Sequence, residues 1–158
     1  MEKINVAIIG CGRMGNRHAK FYKQNKNVNI HGFYDSNQKL AIDLANKFHS
    51  KYFLDIDSIM NDVNIDAISI CTPNALHYDL LVKGIKKNKH ILVEKPIVTT
   101  LKECQNLEKI MKKVTTKIMV GHTHRFYPCN IALKSLLKSG KIGIPKVLNC
   151  FEYIPGRN

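Results

Sequence analysis

The stretch Ile4-Asn5-Val6-Ala7-Ile8-Ile9-Gly10-Cys11-Gly12-Arg13-Met14-Gly15 joins an apolar run to three closely spaced glycines. A run that is apolar at nearly every position is typical of a strand buried on both faces. Gly10 then suits a tight turn, Gly12 a close approach of the backbone to a phosphate, and Gly15 the packing of a helix on the strand. The pattern predicts a strand, a turn and a helix whose N-terminus holds a pyrophosphate.

The residues that follow extend this prediction to a whole dinucleotide. Arg13 and Met14 lie in the first helical turn, where free backbone amides face the phosphates. Asp35 comes twenty residues after Gly15, at the end of the second predicted strand, where its carboxylate would accept the adenosine ribose hydroxyls. A carboxylate repels a 2′-phosphate, so NAD is expected rather than NADP, although Lys39 lies one helical turn further on. Asp35 could alternatively be the N-cap of the helix that starts at Ser36.

Strand-like and helical segments alternate along the first 120 residues. The predicted strands cover residues 4–9, 28–34, 52–54, 65–70, 90–93 and 117–120. The predicted helices cover about a dozen residues from 13 onward, then 36–48, 57–61, 75–87 and 101–113. This alternation predicts an α/β fold with a doubly wound parallel sheet, whose ligand lies beyond the carboxyl ends of the strands.

The regular alternation of predicted strands and helices ends at Gly121. A helix is predicted over 130–139 and a strand over 146–153, and this pair is too small to form a second core. The expected organisation is a dinucleotide-binding domain over 1–121 and the beginning of a second, truncated α/β domain over 122–158. The strand over 147–153 would expose both edges, so we expect it to be mobile or to pair with another chain as a homo-oligomer contact.

Composition narrows the classes of protein. The 158 residues are 44% hydrophobic and 23% charged, which is typical of a soluble globular protein. No apolar run reaches the roughly 20 residues of a membrane span, and no signal peptide is evident, so a cytoplasmic protein without a membrane partner is expected. The net charge of +13 comes almost entirely from lysines scattered over predicted helix faces, with the densest groups at helix C-terminal turns, where cations complement the backbone dipole. Nucleic-acid binding is therefore not predicted.

The five cysteines favour neither a disulfide framework nor a metal site. They are odd in number, widely spaced and never form a Cys-x-x-Cys pair, so reduced thiols are the simplest interpretation. His122, His124 and Cys129 lie close together in sequence, but their spacing matches no common ligand pattern. No metal is assigned.

Two further segments make the chain resemble a known family. These are Cys71-Thr72-Pro73-Asn74-Ala75-Leu76-His77 and Glu94-Lys95-Pro96, supported by Gly121-His122 and Arg125-Phe126 further on. The chain resembles the glucose-fructose oxidoreductase/inositol dehydrogenase (Gfo/Idh/MocA) family from Val6 to about Tyr153.

That resemblance implies roles for residues at the strand ends. Thr72, Asn74 and His77 would border the cofactor, the last two on its nicotinamide side. Glu94 would contact the nicotinamide ribose, and Lys95 would reach both the cofactor and a substrate hydroxyl, with a cis bond to the following proline. A lysine beside a cationic nicotinamide has reason to lose its proton more easily, so Lys95 is the candidate catalytic base.

The resemblance implies hydride transfer between NAD and a secondary hydroxyl of a sugar, cyclitol or nucleotide sugar. Members of the family continue into a second domain that supplies the substrate pocket and an Asp and His, so the chain as given is expected to bind cofactor with little turnover. The alternative is a stand-alone dinucleotide-binding or regulatory protein without catalysis. A small polyol or sugar would be a partner only with a second domain present.

Overall fold

A computed structural model describes residues 3–149 and 151 of the chain. Within them, six strands form one parallel sheet in the order β3-β2-β1-β4-β5-β6. The strands are β1 (Ile4–Ile9), β2 (Val28–Tyr34), β3 (Lys51–Tyr52), β4 (Ala67–Ile70), β5 (His90–Val93) and β6 (Ile118–Val120). The helices are α1 (Arg13–Gln24), α2 (Gln38–Phe48), α3 (Ile56–Asn61), α4 (His77–Lys86), α5 (Leu101–Met111) and α6 (Pro128–Lys138).

β1 lies at the centre of the sheet and carries the crossover point of the strand order. It pairs with β2 on one side and β4 on the other, with Ile9 opposite both Tyr34 and Ile70. Ala7 and Ile9 pack into one buried cluster, and Ile8 packs into a second. All three are fully buried, because successive side chains of a strand point to opposite faces and helices cover both faces here.

The predicted doubly wound parallel sheet is confirmed, with shifts at several element ends. α2 begins at Gln38 rather than Ser36, because Asn37 is its N-cap and accepts a hydrogen bond from the Lys39 amide. Neither Asp35 nor Ser36 caps this helix. The predicted helix over 75–87 is a short 3-10 turn, Asn74–Leu76, followed by α4.

The chain divides into two compact units between Gly121 and His122. The second unit holds a 3-10 turn, Thr123–Phe126, and α6, and none of its described residues is buried. The predicted strand over 146–153 is wrong for residues 146–149 and 151, which carry no strand. A strand is held by hydrogen bonds to a neighbouring strand, and none pairs with this segment among the described residues. The rest of the predicted strand lies outside the described residues.

Candidate functional site

The glycine loop after β1 has the geometry that its sequence predicts. Gly10 has φ of 95°, and a Cβ built on it would lie 2.7 Å from the backbone carbonyl carbon of Cys71. A Cβ on Gly15 would collide with the carbonyl oxygen of Gly10, so only glycine lets α1 approach β1 this closely. A Cβ on Gly12 would meet nothing within 4 Å. Packing within the chain therefore does not require glycine at position 12, and the missing side chain leaves open space beside the backbone.

α1 starts at this loop without a side-chain cap. Gly12 is its N-cap residue, and no side-chain hydrogen bond satisfies the first-turn amides. The amides of Arg13, Met14 and Gly15 are consequently available to an anion, and the helix dipole places partial positive charge at the same point. Three free amides and an open backbone suit a pyrophosphate.

A cavity of about 490 Å³ adjoins the loop at the carboxyl end of the sheet. It brings together four of the predicted site residues, Gly10, Gly12, Asp35 and Thr72. The Thr72 hydroxyl oxygen is buried and has no hydrogen-bond partner in the described part of the chain. A buried polar group without a partner is rare in a folded protein, so this hydroxyl fits a ligand that brings one.

The Asp35 carboxylate holds the loop in place. One oxygen accepts the Cys11 amide at 2.7 Å, and the other accepts the Asn37 amide at 2.8 Å. Each carboxylate oxygen has further lone pairs, so Asp35 can still accept hydroxyl hydrogens from a ribose. Asp35 therefore ties β2 to the glycine loop and also lines the cavity.

His77 is the first residue of α4 and lies between two of the strand-end loops. Its side chain is fully buried and does not line the cavity. Its Nδ1 lies 2.8 Å from the Pro96 carbonyl oxygen, and its Nε2 lies 3.1 Å from the Thr72 carbonyl oxygen. The ring therefore joins the loop after β4 to the loop after β5, and it would influence a cofactor through those loops. Asn74, by contrast, is exposed.

The segment after β5 contains a buried acid and an exposed base. Glu94 is 9% exposed, and its Oε1 lies 3.1 Å from Nε2 of His18. Lys95 is exposed, and its bond to Pro96 is cis, as predicted. The sequence prediction missed His18, although its position three residues after Gly15 places it on the same side of α1.

The two thiols near the cavity are poor nucleophiles. Burial raises the pKa of Cys71 to about 12, and the nearby Glu94 carboxylate adds to the effect. Burial also raises the pKa of Cys11 to about 12, with a contribution from Asp35. Since the thiolate is the reactive form, neither cysteine supplies a nucleophile at neutral pH.

The described residues provide neither a metal-binding cluster nor a membrane-spanning helix. Residues 3–149 and 151 contain no cluster of three or more His, Cys, Asp or Glu side chains that could hold a metal ion, so His122, His124 and Cys129 form none. In the same residues, every helix is too short or too polar to cross a bilayer.

The sheet order, the uncapped glycine loop and the carboxylate at the end of β2 together define a dinucleotide-binding Rossmann domain. The chain belongs to the Gfo/Idh/MocA family, described as an oxidoreductase family with an NAD-binding Rossmann fold, whose model matches residues 4–122. The resemblance noted in the sequence is thereby confirmed, as is an NAD-binding domain.

Relatives of the chain include dehydrogenases and a hydratase. An inositol 2-dehydrogenase of Rhizobium meliloti is 30% identical over 89% of this chain and 42% of its own length. A 2,7-anhydro-N-acetylneuraminate hydratase of Escherichia coli is 28% identical over 93% of this chain and 38% of its own length. The crystal structure of an NAD-binding oxidoreductase from Klebsiella pneumoniae superimposes with a TM-score of 0.83 at 27% identity, over 89% of this chain and 40% of that one. The chain thus spans about two fifths of the length of these relatives.

Proposed function

We propose that this chain is the cofactor-binding part of an NAD-dependent dehydrogenase that acts on a secondary hydroxyl of a sugar, cyclitol or nucleotide sugar. The observation that carries the proposal is the N-terminus of α1, which no side chain caps, next to a cavity lined by Asp35 and by Thr72, whose hydroxyl has no partner among the described residues. The inositol 2-dehydrogenase among the relatives supports the substrate class.

The residues present fit the cofactor in three places. The amides of Arg13, Met14 and Gly15 would hold the pyrophosphate, and Asp35 would accept the adenosine ribose hydroxyls. Glu94 would hold the nicotinamide ribose. When bound, NAD accepts a hydride from the substrate carbon.

Lys95 is our candidate for the proton-transferring group. It lies in the loop directly after β5, next to Glu94, and its side chain is exposed and free to reach a substrate. A positioned general base typically contributes about a hundred- to ten-thousand-fold to a rate. We further propose that residues 122–158 begin the domain that holds the substrate.

Calorimetry with NAD and NADP tests the binding proposal. We expect NAD to bind at least about tenfold more tightly, because the Asp35 carboxylate accepts ribose hydroxyls and repels a 2′-phosphate. In Asp35→Ala this preference should shrink or reverse. Equal or tighter binding of NADP to the unmodified chain would contradict the proposed role of Asp35.

The enzyme proposal needs a separate measurement. NADH formation with a panel of sugars, cyclitols and nucleotide sugars should occur in the whole gene product and be lost in Lys95→Ala. For the 158 residues alone we expect NAD binding with at most trace turnover, with Lys95→Ala changing NAD affinity only a few-fold. NAD binding without NADH formation from any compound in the whole product would favour the alternative, a non-catalytic dinucleotide-binding protein.

A further inference from the structure

A connected row of polar side chains lies beneath the carboxyl end of the sheet. We call Ser69, His18 and Glu94 the inner polar chain. His18 Nδ1 lies 2.7 Å from Ser69 Oγ, and His18 Nε2 lies 3.1 Å from Glu94 Oε1. The His18 and Glu94 side chains are only 13% and 12% exposed, so water screens their contact weakly.

Three separate elements contribute to the inner polar chain. His18 comes from α1, one turn beyond the glycine loop, Ser69 comes from β4, and Glu94 follows β5. Ser69 is fully buried, and a buried hydroxyl that lacks a hydrogen bond destabilises the fold. The chain of contacts therefore fixes the distance between the helix that would hold the pyrophosphate and the acid that would hold the nicotinamide ribose.

The hydrogen bonds can all run in one direction. When the His18 proton is on Nε2, that nitrogen donates to Glu94 and Ser69 donates to His18 Nδ1. Glu94 then keeps Oε2 free, because the described residues make no hydrogen bond to it. Oε2 has no hydrogen-bond partner among the described residues, yet it is not buried, so it retains contact with solvent.

A hydrolase-like triad would be another interpretation of Ser69, His18 and Glu94. Ser69, however, has no exposed surface, and its oxygen cannot reach a substrate. In a nucleophilic triad the serine must lie at the surface of the site. The arrangement thus does not supply a nucleophile. Its atom that remains available to a ligand is Oε2 of Glu94.

We propose that His18 is a positioning residue that holds Oε1 of Glu94 and turns Oε2 toward the nicotinamide ribose. This inference rests on the proposed function, because it assumes that the dinucleotide binds along α1. In this proposal His18 and Ser69 affect the affinity for the nicotinamide half of the cofactor, although neither residue contacts the cofactor directly.

Two variants at His18 test the proposal against two ligands. His18→Leu removes the donor, whereas His18→Gln can still offer an amide N–H to Glu94. We expect His18→Leu to weaken NAD binding roughly tenfold and His18→Gln to keep it within about threefold. ADP lacks the nicotinamide ribose, so its affinity should stay within about twofold in both. NAD affinity that is unchanged in His18→Leu, or lost equally in both variants, would overturn the proposal.

A double-mutant cycle with Glu94→Gln tests whether His18 acts through the acid. In the Glu94→Gln background, His18→Leu should weaken NAD binding less than about twofold further, because the contact is already changed. Additive losses would contradict the proposal. If His18→Leu does not fold, as judged by circular dichroism, Ser69→Ala takes its place, with an expected threefold loss for NAD and none for ADP. Failure of the unmodified chain to bind NAD would instead refute the proposed function.

Discussion

Two cavities of similar size lie at opposite ends of the sheet, and only one has the features of a ligand site. The cavity at the carboxyl end is about 490 Å³, and the cavity at the amino end, beside Lys3, Lys23 and Lys26, is about 530 Å³. The amino-end cavity borders the C-terminal ends of α1 and α2, whose dipoles disfavour an anion. Of the buried polar atoms without a partner among the described residues, Thr72 Oγ1 lines the carboxyl-end cavity and Thr116 Oγ1 lines neither.

This comparison shows that volume does not identify the site. The slightly larger cavity is lined by exposed lysines whose charges are solvated, whereas the smaller one has a helix N-terminus and a carboxylate fixed by backbone amides. Binding an anionic dinucleotide depends on donors that are already oriented, because ordering flexible side chains opposes binding. The predictions that follow test this difference between the two ends.

The largest effect is expected at the glycine loop. In Gly15→Ala the new Cβ would collide with the Gly10 carbonyl, so α1 must move and NAD binding should be lost together with much of the stability. Gly12→Ala is the matched variant, since its Cβ meets no neighbour and its φ of −69° suits alanine. Its melting temperature should be unchanged while NAD binds at least about tenfold more weakly. Unchanged NAD affinity in Gly12→Ala would place the pyrophosphate elsewhere.

The next effect concerns thiol reactivity at the carboxyl end. With a pKa of about 12, Cys11 and Cys71 should carry roughly a thousandfold less thiolate than an ordinary thiol, and burial slows access further. Peptide mapping after iodoacetamide treatment at pH 8 should find Cys104 and Cys129, which are exposed, modified at least a hundredfold faster. Denatured chain is the control, in which all should react alike. Rapid modification of Cys71 in the folded chain would contradict the prediction that burial makes this thiol unreactive.

A third effect is expected on stability at the same end. His77→Ala removes a buried ring and the hydrogen bond that it donates to the carbonyl of Thr72 or Pro96, so the free energy of unfolding should fall by roughly 2–4 kcal/mol. Asn74→Ala, in the same loop but exposed, should change it by less than about 0.5 kcal/mol. Urea denaturation measures both. Equal stability of the two variants would show that His77 does not hold the loops together.

The parts of the site that could be predicted are those formed by residues close together in the sequence. The glycine spacing and the position of Asp35 are local patterns, and both lie where they were predicted. His18, Ser69 and Glu94 meet across 51 and 76 residues of sequence, so no spacing rule brings them together. His77 could be placed at the start of α4, but its burial depends on the loop after β5. The strand predicted over 146–153 failed for residues 146–149 and 151, because an apolar run cannot by itself supply a neighbouring strand.

The smallest effect is expected at the amino end, where we predict that changing Lys3, Lys23 and Lys26 to glutamine alters NAD affinity less than twofold. These lysines border the larger cavity but lie a strand's length from the glycine loop, about 20 Å for six residues. At physiological ionic strength the Debye length is about 8 Å, so their charges are largely screened at that distance. Titration at low salt should enlarge the difference slightly, because the long-range field then reaches further. A tenfold loss of NAD affinity in the triple variant at physiological salt, with Gly12→Ala binding normally, would reverse the comparison and assign the anion to the amino-end cavity.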